Sequence, residues 1–201
     1  MLLRPLPYPD SGRLDRINRS TPQDPRGGIS PADYLDLKSE MNGYGKIAAY
    51  AFSDTNFSQP AEPAETASGL RISANLFSTL GIEPQLGRGF RPDETVFGNH
   101  RVLIISERFW RNRFGGDAHI IGRTVRVDGE AHEIVGVLPA TFNDWRHLGS
   151  FDLLRPLALS EKEATDRRTT WIRLVGPRSS TLTRAQADGF IVNFGRRLAG
   201  R

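Results

Sequence analysis

The stretch formed by residues 123–139, RTVRVDGEAHEIVGVLP, constrains the fold more than any other part of the chain. Asp128 and Gly129 stand between two runs in which apolar and polar residues alternate. A type I′ turn needs positive φ at both of its central residues, and aspartate and glycine tolerate this conformation. An Asp-Gly pair in this setting therefore favours a two-residue type I′ turn. The predicted strand register pairs Val127 with Glu130, Val125 with His132 and Arg123 with Ile134. We therefore expect an antiparallel hairpin in which His132 shares a face with two valines.

Other strands are predicted wherever apolar residues alternate or form short runs bounded by turn residues. The second predicted hairpin joins the strand KIAAYAFSDTNF, through a polar turn that contains proline, to the strand TASGLRIS. The remaining predicted strands are residues 13–21, 100–106, 151–159 and 169–176.

Four helices are predicted from apolar spacing and from residues suited to helix ends. Ser30 would cap residues 31–43, Ser73 would cap a helix ending at Gly81, and Ser106 would cap a helix ending at Gly115 and Gly116. The last helix would span residues 182–200. Its capping box would be formed by Thr183 and Gln186, and its apolar face by Ala187, Phe190, Ile191, Phe194 and Leu198. Helices and strands alternate irregularly, which predicts the α+β class.

Residues 106–117, SERFWRNRFGGD, combine three arginines with three aromatic residues. Exposed aromatics beside arginines on one face are typical of nucleic-acid binding. At helical spacing, however, Arg108 and Arg111 share one face, and Phe109, Trp110, Arg113 and Phe114 occupy much of the other side. This arrangement favours a core-facing helix with a basic outer surface.

The composition excludes several classes of chemistry. The chain has 201 residues and no cysteine, so disulfides, zinc bound by cysteine and thiol catalysis are excluded. The net charge of +4 is too small to indicate nucleic-acid binding by itself. The longest apolar run is Val102–Ile105, far shorter than the ~18 residues that a membrane span needs.

No pattern predicts a catalytic, cofactor-binding or metal-ligating residue. The four histidines do not lie at the short spacings of a metal site, and no nucleophile elbow or Walker lysine occurs. The histidines are His100, His119, His132 and His147. A standalone soluble hydrolase with a spatially assembled acid–base site stays open as an alternative, because carboxylate pairs form in space. A basic nucleic-acid binder is a further alternative.

Six blocks in order along the chain resemble the periplasmic core domain of MacB-like ABC transporter permeases, the MacB/FtsX/LolC-type family. The blocks are residues 2–14 (LLRPLPYPDSGRL), 30–38 (SPADYLDLK), 70–90 (LRISANLFSTLGIEPQLGRGF), 102–117 (VLIISERFWRNRFGGD), 120–142 (IIGRTVRVDGEAHEIVGVLPATF) and 182–188 (LTRAQAD). The chain departs from the family before the last helix, where VGPRSSTLT replaces a GRLKPGVT-type turn.

The resemblance implies a fold in two parts. A porter-like α/β subdomain would be formed by the two chain ends, residues 1–87 and 156–201. A β-rich, Sabre-like lobe would be inserted between them at residues 88–155. This insertion point agrees with the loop PQLGRGFRPDE, whose glycines and prolines independently suggest a boundary.

The resemblance also implies a function and a location. The chain would be the non-catalytic segment between the first two membrane helices of a permease, on the periplasmic side of the bacterial inner membrane. It would couple ATP-driven motion of those helices to partner or substrate handling outside that membrane, and it would use no cofactor. The implied partners are the permease's own transmembrane region, a cytoplasmic ATP-binding subunit or domain, and a periplasmic adaptor protein. The full transporter would be a dimer and the isolated domain a monomer, with no nucleic acid bound.

Overall fold

The structure is a computed structural model that describes residues 14–17, 27–40, 47–59, 62–144 and 151–177. The helices are α1 (Pro31–Glu40), α2 (Leu76–Leu80), α3 (Glu107–Phe114) and α4 (Glu161–Ala164), with short 3₁₀ helices at Pro92–Thr95 and Ala140–Asp144. The strands are β1 (Leu14–Ile17), β2 (Ala48–Phe52), β3 (Thr55–Ser58), β4 (Glu65–Ala67), β5 (Gly69–Ile72), β6 (Leu86–Gly87), β7 (Val102–Ile105), β8 (Thr124–Val127), β9 (Glu130–Val137), β10 (Leu153–Pro156) and β11 (Arg173–Pro177).

All of these strands join one mixed sheet. Its order is β1-β11-β2-β5-β10-β7-β9-β8-β3-β4, and β6 pairs with β9 beside this path. Two pairs are parallel, β5 with β10 and β7 with β9, while the other pairs are antiparallel. The mixed sheet with its separate helices confirms the predicted α+β class.

The β8–β9 hairpin has the predicted geometry. Asp128 has φ of 51° and Gly129 has φ of 83°, so both central residues are left-handed as a type I′ turn requires. The ladder pairs Val127 with Glu130 and Val125 with His132, as predicted. The third predicted pair continues just beyond β8, where the Ile134 amide donates to the Arg123 carbonyl at 2.9 Å.

The second predicted hairpin forms, but it is divided into two ladders. Its inner half pairs β2 with β5, and its outer half pairs β3 with β4 in a continuing register. The division falls near Ser53 and Ser68, because the inner half also joins β10 while the outer half turns away to join β8. The two ends of the strand path β5-β10-β7-β9-β8-β3-β4 are therefore consecutive segments of the chain, and the sheet curves back on itself.

Strand pairing also crosses the two predicted subdomain boundaries. The boundary at residues 87 and 88 is crossed by the pairing of β5 with β10 and by that of β3 with β8. The boundary at residues 155 and 156 falls within β10, which ends at Pro156 and also pairs with β7. The division into residues 1–87, 88–155 and 156–201 stays a prediction.

Three apolar clusters fill the spaces around this sheet. The first lies between the sheet and α2 and includes Leu70, Phe77 and Phe142. The second lies under α1 and includes Tyr34 and Leu174. The third draws on β3, β4 and β7 to β10 together with α3, so the two ends of the curved path share one core.

Helix α1 begins as predicted. The Ser30 hydroxyl accepts a hydrogen bond from the Asp33 amide at 3.1 Å, which satisfies one of the free N–H groups at the helix start. Pro31 occupies the first helical position, and Tyr34 and Leu37 are buried. Met41 and Gly43, also assigned to this helix by the sequence, lie outside the described residues.

The prediction that Ser73 caps α2 is wrong. The residue in the N-cap position is Asn75, and its side chain makes no capping bond. The Ser73 hydroxyl instead accepts from the Ala49 amide at 2.9 Å and donates to Asn75 Oδ1 at 2.7 Å. A bond to a neighbouring strand has replaced the local cap, and the predicted end at Gly81 is confirmed by its φ of 66°.

Helix α3 is a core helix with a basic outer surface, as its sequence favoured. Ser106 Oγ accepts from the Phe109 amide at 3.1 Å, and Gly115 ends the helix with φ of 61°. Phe109 and Phe114 are buried. The three arginines of this segment are ion-paired with carboxylates, as Arg108–Asp152, Arg111–Glu107, Arg113–Glu62 and Arg113–Glu65.

The mixed-charge residues 161–164 have the composition of a solvated segment, but they form α4. Ser160 and Glu163 make a reciprocal capping box, in which each side chain bonds the other's backbone amide. Residues after Pro177 lie outside the described part of the chain. They include the predicted helix over residues 182–200 and most of the VGPRSSTLT stretch, where the sequence departs from the family. Within the described ranges, no helix is long and apolar enough to cross a membrane.

Candidate docking groove

An open groove of about 900 Å³ lies where α1, the start of α2, the segment 90–97 and the segment 157–164 meet. Its lining is mostly apolar. The residues are Tyr34, Leu35, Lys38, Ser73, Ala74, Asn75, Ser78, Phe90, Pro92, Thr95, Val96, Phe97, Leu157, Leu159, Glu161 and Ala164.

Exposed apolar side chains concentrate on the rim of this groove. Phe97 is 59% exposed, Val96 is 56% exposed and Leu35 is 40% exposed. Large side chains this open to water are informative when they are contiguous, since such patches mark contact sites. The groove therefore has the character of a docking surface for an apolar partner.

The polar side chains Tyr34 and Asn75 at the floor of the groove are uncharged and make hydrogen bonds within the protein. Tyr34 is buried, and burial raises the pKa of Tyr34 to about 12 against the opposing effect of a hydrogen bond with Ser73. The phenol therefore stays protonated at physiological pH. Asn75 donates from Nδ2 to the Ile47 carbonyl at 2.7 Å, so this polar group is also engaged.

A buried carboxylate holds the loop that carries Val96 and Phe97. Glu94 accepts from Arg88 Nη1 at 2.9 Å, from Arg88 Nη2 at 2.7 Å and from the Arg91 amide at 2.7 Å. Burial acts to raise the pKa of Glu94, but the hydrogen bonds from Arg88 and Arg91 outweigh it and hold that pKa below its ordinary value. The loop that follows is thus fixed at its base.

The tip of the same loop is held by His100. The rings of Phe97 and His100 stack with centroids 5.0 Å apart and planes 23° apart. The Gly98 amide donates to His100 Nδ1 at 3.0 Å, and Gly98 has φ of 104°, a backbone conformation that favours glycine.

The opposite wall is held by a partly buried ion pair. Arg71 Nη1 lies 2.7 Å from Glu163 Oε1, and the guanidinium of Arg71 lies 5.0 Å from the centre of the Trp171 ring. Glu163 also closes the capping box of α4. This pair places Glu161 and Ala164 of α4 along the groove.

The described lining does not contain the acid–base pair that the hydrolase alternative requires. Its titratable members are Tyr34, Lys38 and Glu161. Of the histidines, His132 is buried, with its Nδ1 3.1 Å from the Glu130 carbonyl oxygen, and burial lowers the pKa of His132. His147 lies outside the described residues, and among those described no group of three His, Asp or Glu side chains could hold a metal ion.

The sequence profile of the family described as the MacB-like periplasmic core domain matches residues 4–189. The chain belongs to this family. The match extends over nearly the whole chain and confirms the resemblance inferred from the six sequence blocks. No curated protein sequence matches the chain significantly.

Solved structures show the same fold as this MacB-like domain. A domain of a proposed permease protein from Porphyromonas gingivalis has a TM-score of 0.70 at 15% identity, covering 94% of this chain and 86% of that one. The periplasmic region of MacB from Actinobacillus actinomycetemcomitans has a TM-score of 0.68 at 16% identity, covering 94% and 83%. The extracellular domain of the noncanonic ABC-type transporter YknZ from Gram-positive bacteria has a TM-score of 0.59 at 17% identity, covering 90% and 91%.

Sequence reasoning did not identify the groove of this MacB-like domain. Its walls come from four separate segments, and the sequence assigned α1 and α2 to helices without showing that they meet residues 90–97. The one available signal was the pair Val96–Phe97, two apolar residues in a segment that otherwise has loop composition.

Proposed function

We propose that this MacB-like domain is a non-catalytic extracytoplasmic module of an ABC-type permease. In this proposal it couples ATP-driven motion of the membrane helices to the handling of a partner or substrate outside the inner membrane. ATP hydrolysis belongs to a cytoplasmic ATP-binding subunit or domain. The other partners are the permease's own transmembrane region and a periplasmic adaptor protein, within a dimeric transporter.

The observation that carries the proposal is the pairing of the first and last described strands. Leu14 at the start of β1 is paired with Pro177 at the end of β11. The chain thus enters and leaves the described fold at the same end of the sheet, as two attachments to one membrane require. A fold whose two ends lay at opposite poles would not satisfy this requirement.

Hydrogen-bonded strands connect that end of the sheet to the groove. β11 pairs with β2, and β2 pairs with β5. Ser73 then bonds the Ala49 amide of β2, and the Leu157 amide donates to the Ile72 carbonyl at 2.7 Å. A displacement of β1 and β11 by the membrane helices would reach Ser73 and Leu157, which both line the groove.

The groove also lies between the two proposed subdomains. α1, α2 and residues 157–164 belong to the porter-like part, and residues 90–97 belong to the inserted lobe. A rotation of one part against the other would widen or narrow the groove. Motion of the membrane helices would in this way change how the groove holds a partner or substrate.

A single-cysteine experiment tests the location, because the chain has no cysteine of its own. Val96→Cys in the full-length gene product, with any cysteine outside these 201 residues replaced by serine, should react in spheroplasts with a maleimide that does not cross membranes. Leu103→Cys is the matched control, since Leu103 is fully buried and should react after denaturation. Labelling of Val96→Cys after lysis but not in intact spheroplasts would place the domain in the cytoplasm and refute the proposal.

A further inference from the structure

The loop from Val96 to His100 is closed by a hydrogen bond that depends on the charge of one side chain. Gly98 donates its amide to His100 Nδ1 at 3.0 Å, and the His100 ring stacks on Phe97. Both contacts involve a single imidazole, and Phe97 is the most exposed apolar residue on the groove rim.

Only one charge state of His100 can make this bond. A backbone N–H is always a donor, so Nδ1 must carry a free lone pair to accept from it. The imidazolium ion donates from both ring nitrogens and has no acceptor. Protonation of His100 therefore sets two N–H groups against each other and breaks the link to Gly98.

The charged groups around His100 oppose an added proton. The pKa of His100 is lowered by nearby basic groups, namely Arg71 from β5, His132 from β9 and the adjacent Arg101. The Glu130 carboxylate has the opposite effect and raises it. Glu130 is already paired with Arg101, at 3.1 Å. The neutral ring is thus the form that this environment favours.

We propose that His100 is a pH-sensitive latch whose neutral ring binds the Gly98 amide at the groove rim and whose protonation breaks that bond. The latch regulates the groove on which the proposed function rests. Release of Gly98 frees the backbone next to Phe97, so the groove rim loses a fixed position for this apolar side chain as the compartment acidifies.

The direction of the pH dependence follows from the folded environment. Burial is the main reason that the pKa of His100 lies below its ordinary value of ~6.5. Over the interval between these two pKa values, the unfolded chain binds more protons than the folded one, so stability rises with pH. The contribution is complete above pH ~6.5 and is lost as pH falls towards the folded pKa.

Nuclear magnetic resonance on the full 201-residue chain tests the latch directly. We expect the ¹⁵N signal of His100 Nδ1 and the amide signal of Gly98 to titrate together, with one midpoint below pH ~6.5. After correction for intrinsic exchange, the Gly98 amide should exchange at least about tenfold faster once His100 is protonated.

Three variants distinguish the latch from a titration elsewhere in the chain. His100→Asn keeps an acceptor oxygen without a titrating ring, and it should abolish the midpoint at Gly98. His100→Phe keeps a ring without an acceptor, and Gly98 should exchange rapidly at every pH. His119→Gln should leave the midpoint unchanged.

The latch is overturned if His100 titrates while the Gly98 amide stays fixed, or if Gly98 shows the same midpoint in His100→Asn. These measurements do not involve a membrane or partner. A failed latch is therefore distinguishable from failed labelling of Val96→Cys, which would overturn the proposed function.

Discussion

Arg155 on β10 donates from Nη1 to Oδ2 of Asp128 at 2.9 Å, which ties the tip of the β8–β9 hairpin to a more distant strand of the sheet. Asp128 Oδ1 also accepts from the Asn56 amide at 2.9 Å. One aspartate therefore forms the turn and joins β3, β8 and β10. These two bonds link strands that are not all neighbours in the sheet order.

Asp128→Ala should lower the free energy of unfolding by about 2 kcal/mol, as expected when hydrogen bonds to a charged group are lost. Asp128→Asn is the matched control, because asparagine tolerates positive φ and can still accept from the Asn56 amide. It replaces the oxygen that accepts from Arg155 with an NH2 donor, so it loses the ion pair with Arg155, keeps the Asn56 bond and should lose about half as much stability. Urea denaturation measures both variants, and equal losses would contradict the role given to the Asn56 bond.

Glu94→Gln should lower stability by about 2 kcal/mol at neutral pH, because it removes the charge that binds Arg88 inside the fold. The pKa of Glu94 is lowered in the folded state, so its stabilisation is present above the ordinary glutamate pKa and is lost as pH falls through the folded value. The wild-type melting temperature should therefore fall towards acid pH more steeply than that of Glu94→Gln. Parallel pH profiles would show that the charge of Glu94 is not what stabilises the loop.

Gly69→Ala should be among the most disruptive single substitutions in the sheet. A Cβ at Gly69 would lie 2.4 Å from the Ser53 carbonyl oxygen, where two backbones cross and neither can move easily. Forced overpacking of this kind typically costs about 1–3 kcal/mol or more. Gly89→Ala is the control, because its Cβ would first meet a Phe77 ring carbon at 3.3 Å. Thermal denaturation should show a clearly larger loss for Gly69→Ala, and the reverse order would refute the crossing as the constraint.

Locking the groove should slow ATP turnover by the full transporter. In the Leu35→Cys, Phe97→Cys variant, a short bismaleimide would join the two walls, and we expect hydrolysis to fall roughly tenfold, equivalent to ~1.4 kcal/mol in the barrier. The Leu35→Cys, Phe52→Cys variant is the matched control, because Phe52 is exposed but does not line the groove. The measurement is phosphate release by the permease and its ATP-binding subunit in nanodiscs. An unchanged rate after verified cross-linking would exclude groove movement from the transport cycle.

The sequence by itself determined the features whose interactions are local. Asp128 and Gly129 define a turn because the positive φ values belong to two adjacent residues, and the hairpin register follows from that turn. Ser30 and Ser106 cap their helices because the amides they bind lie three residues away in each case. The six family blocks added the fold family, because their order along the chain can be compared without knowing any contact.

Only the tertiary structure decided the features that depend on distant partners. Ser73 has the sequence context of a cap, yet its hydroxyl binds Ala49, 24 residues away. Arg155 pairs with Asp128, 27 residues away. The groove is lined by segments that lie far apart in the chain, from α1 to α4. The parallel pairings of β5 with β10 and of β7 with β9 help to bring these segments together. Local patterns specify which backbone shapes are favourable, whereas a contact between distant residues exists only once the whole sheet has folded and brought them together.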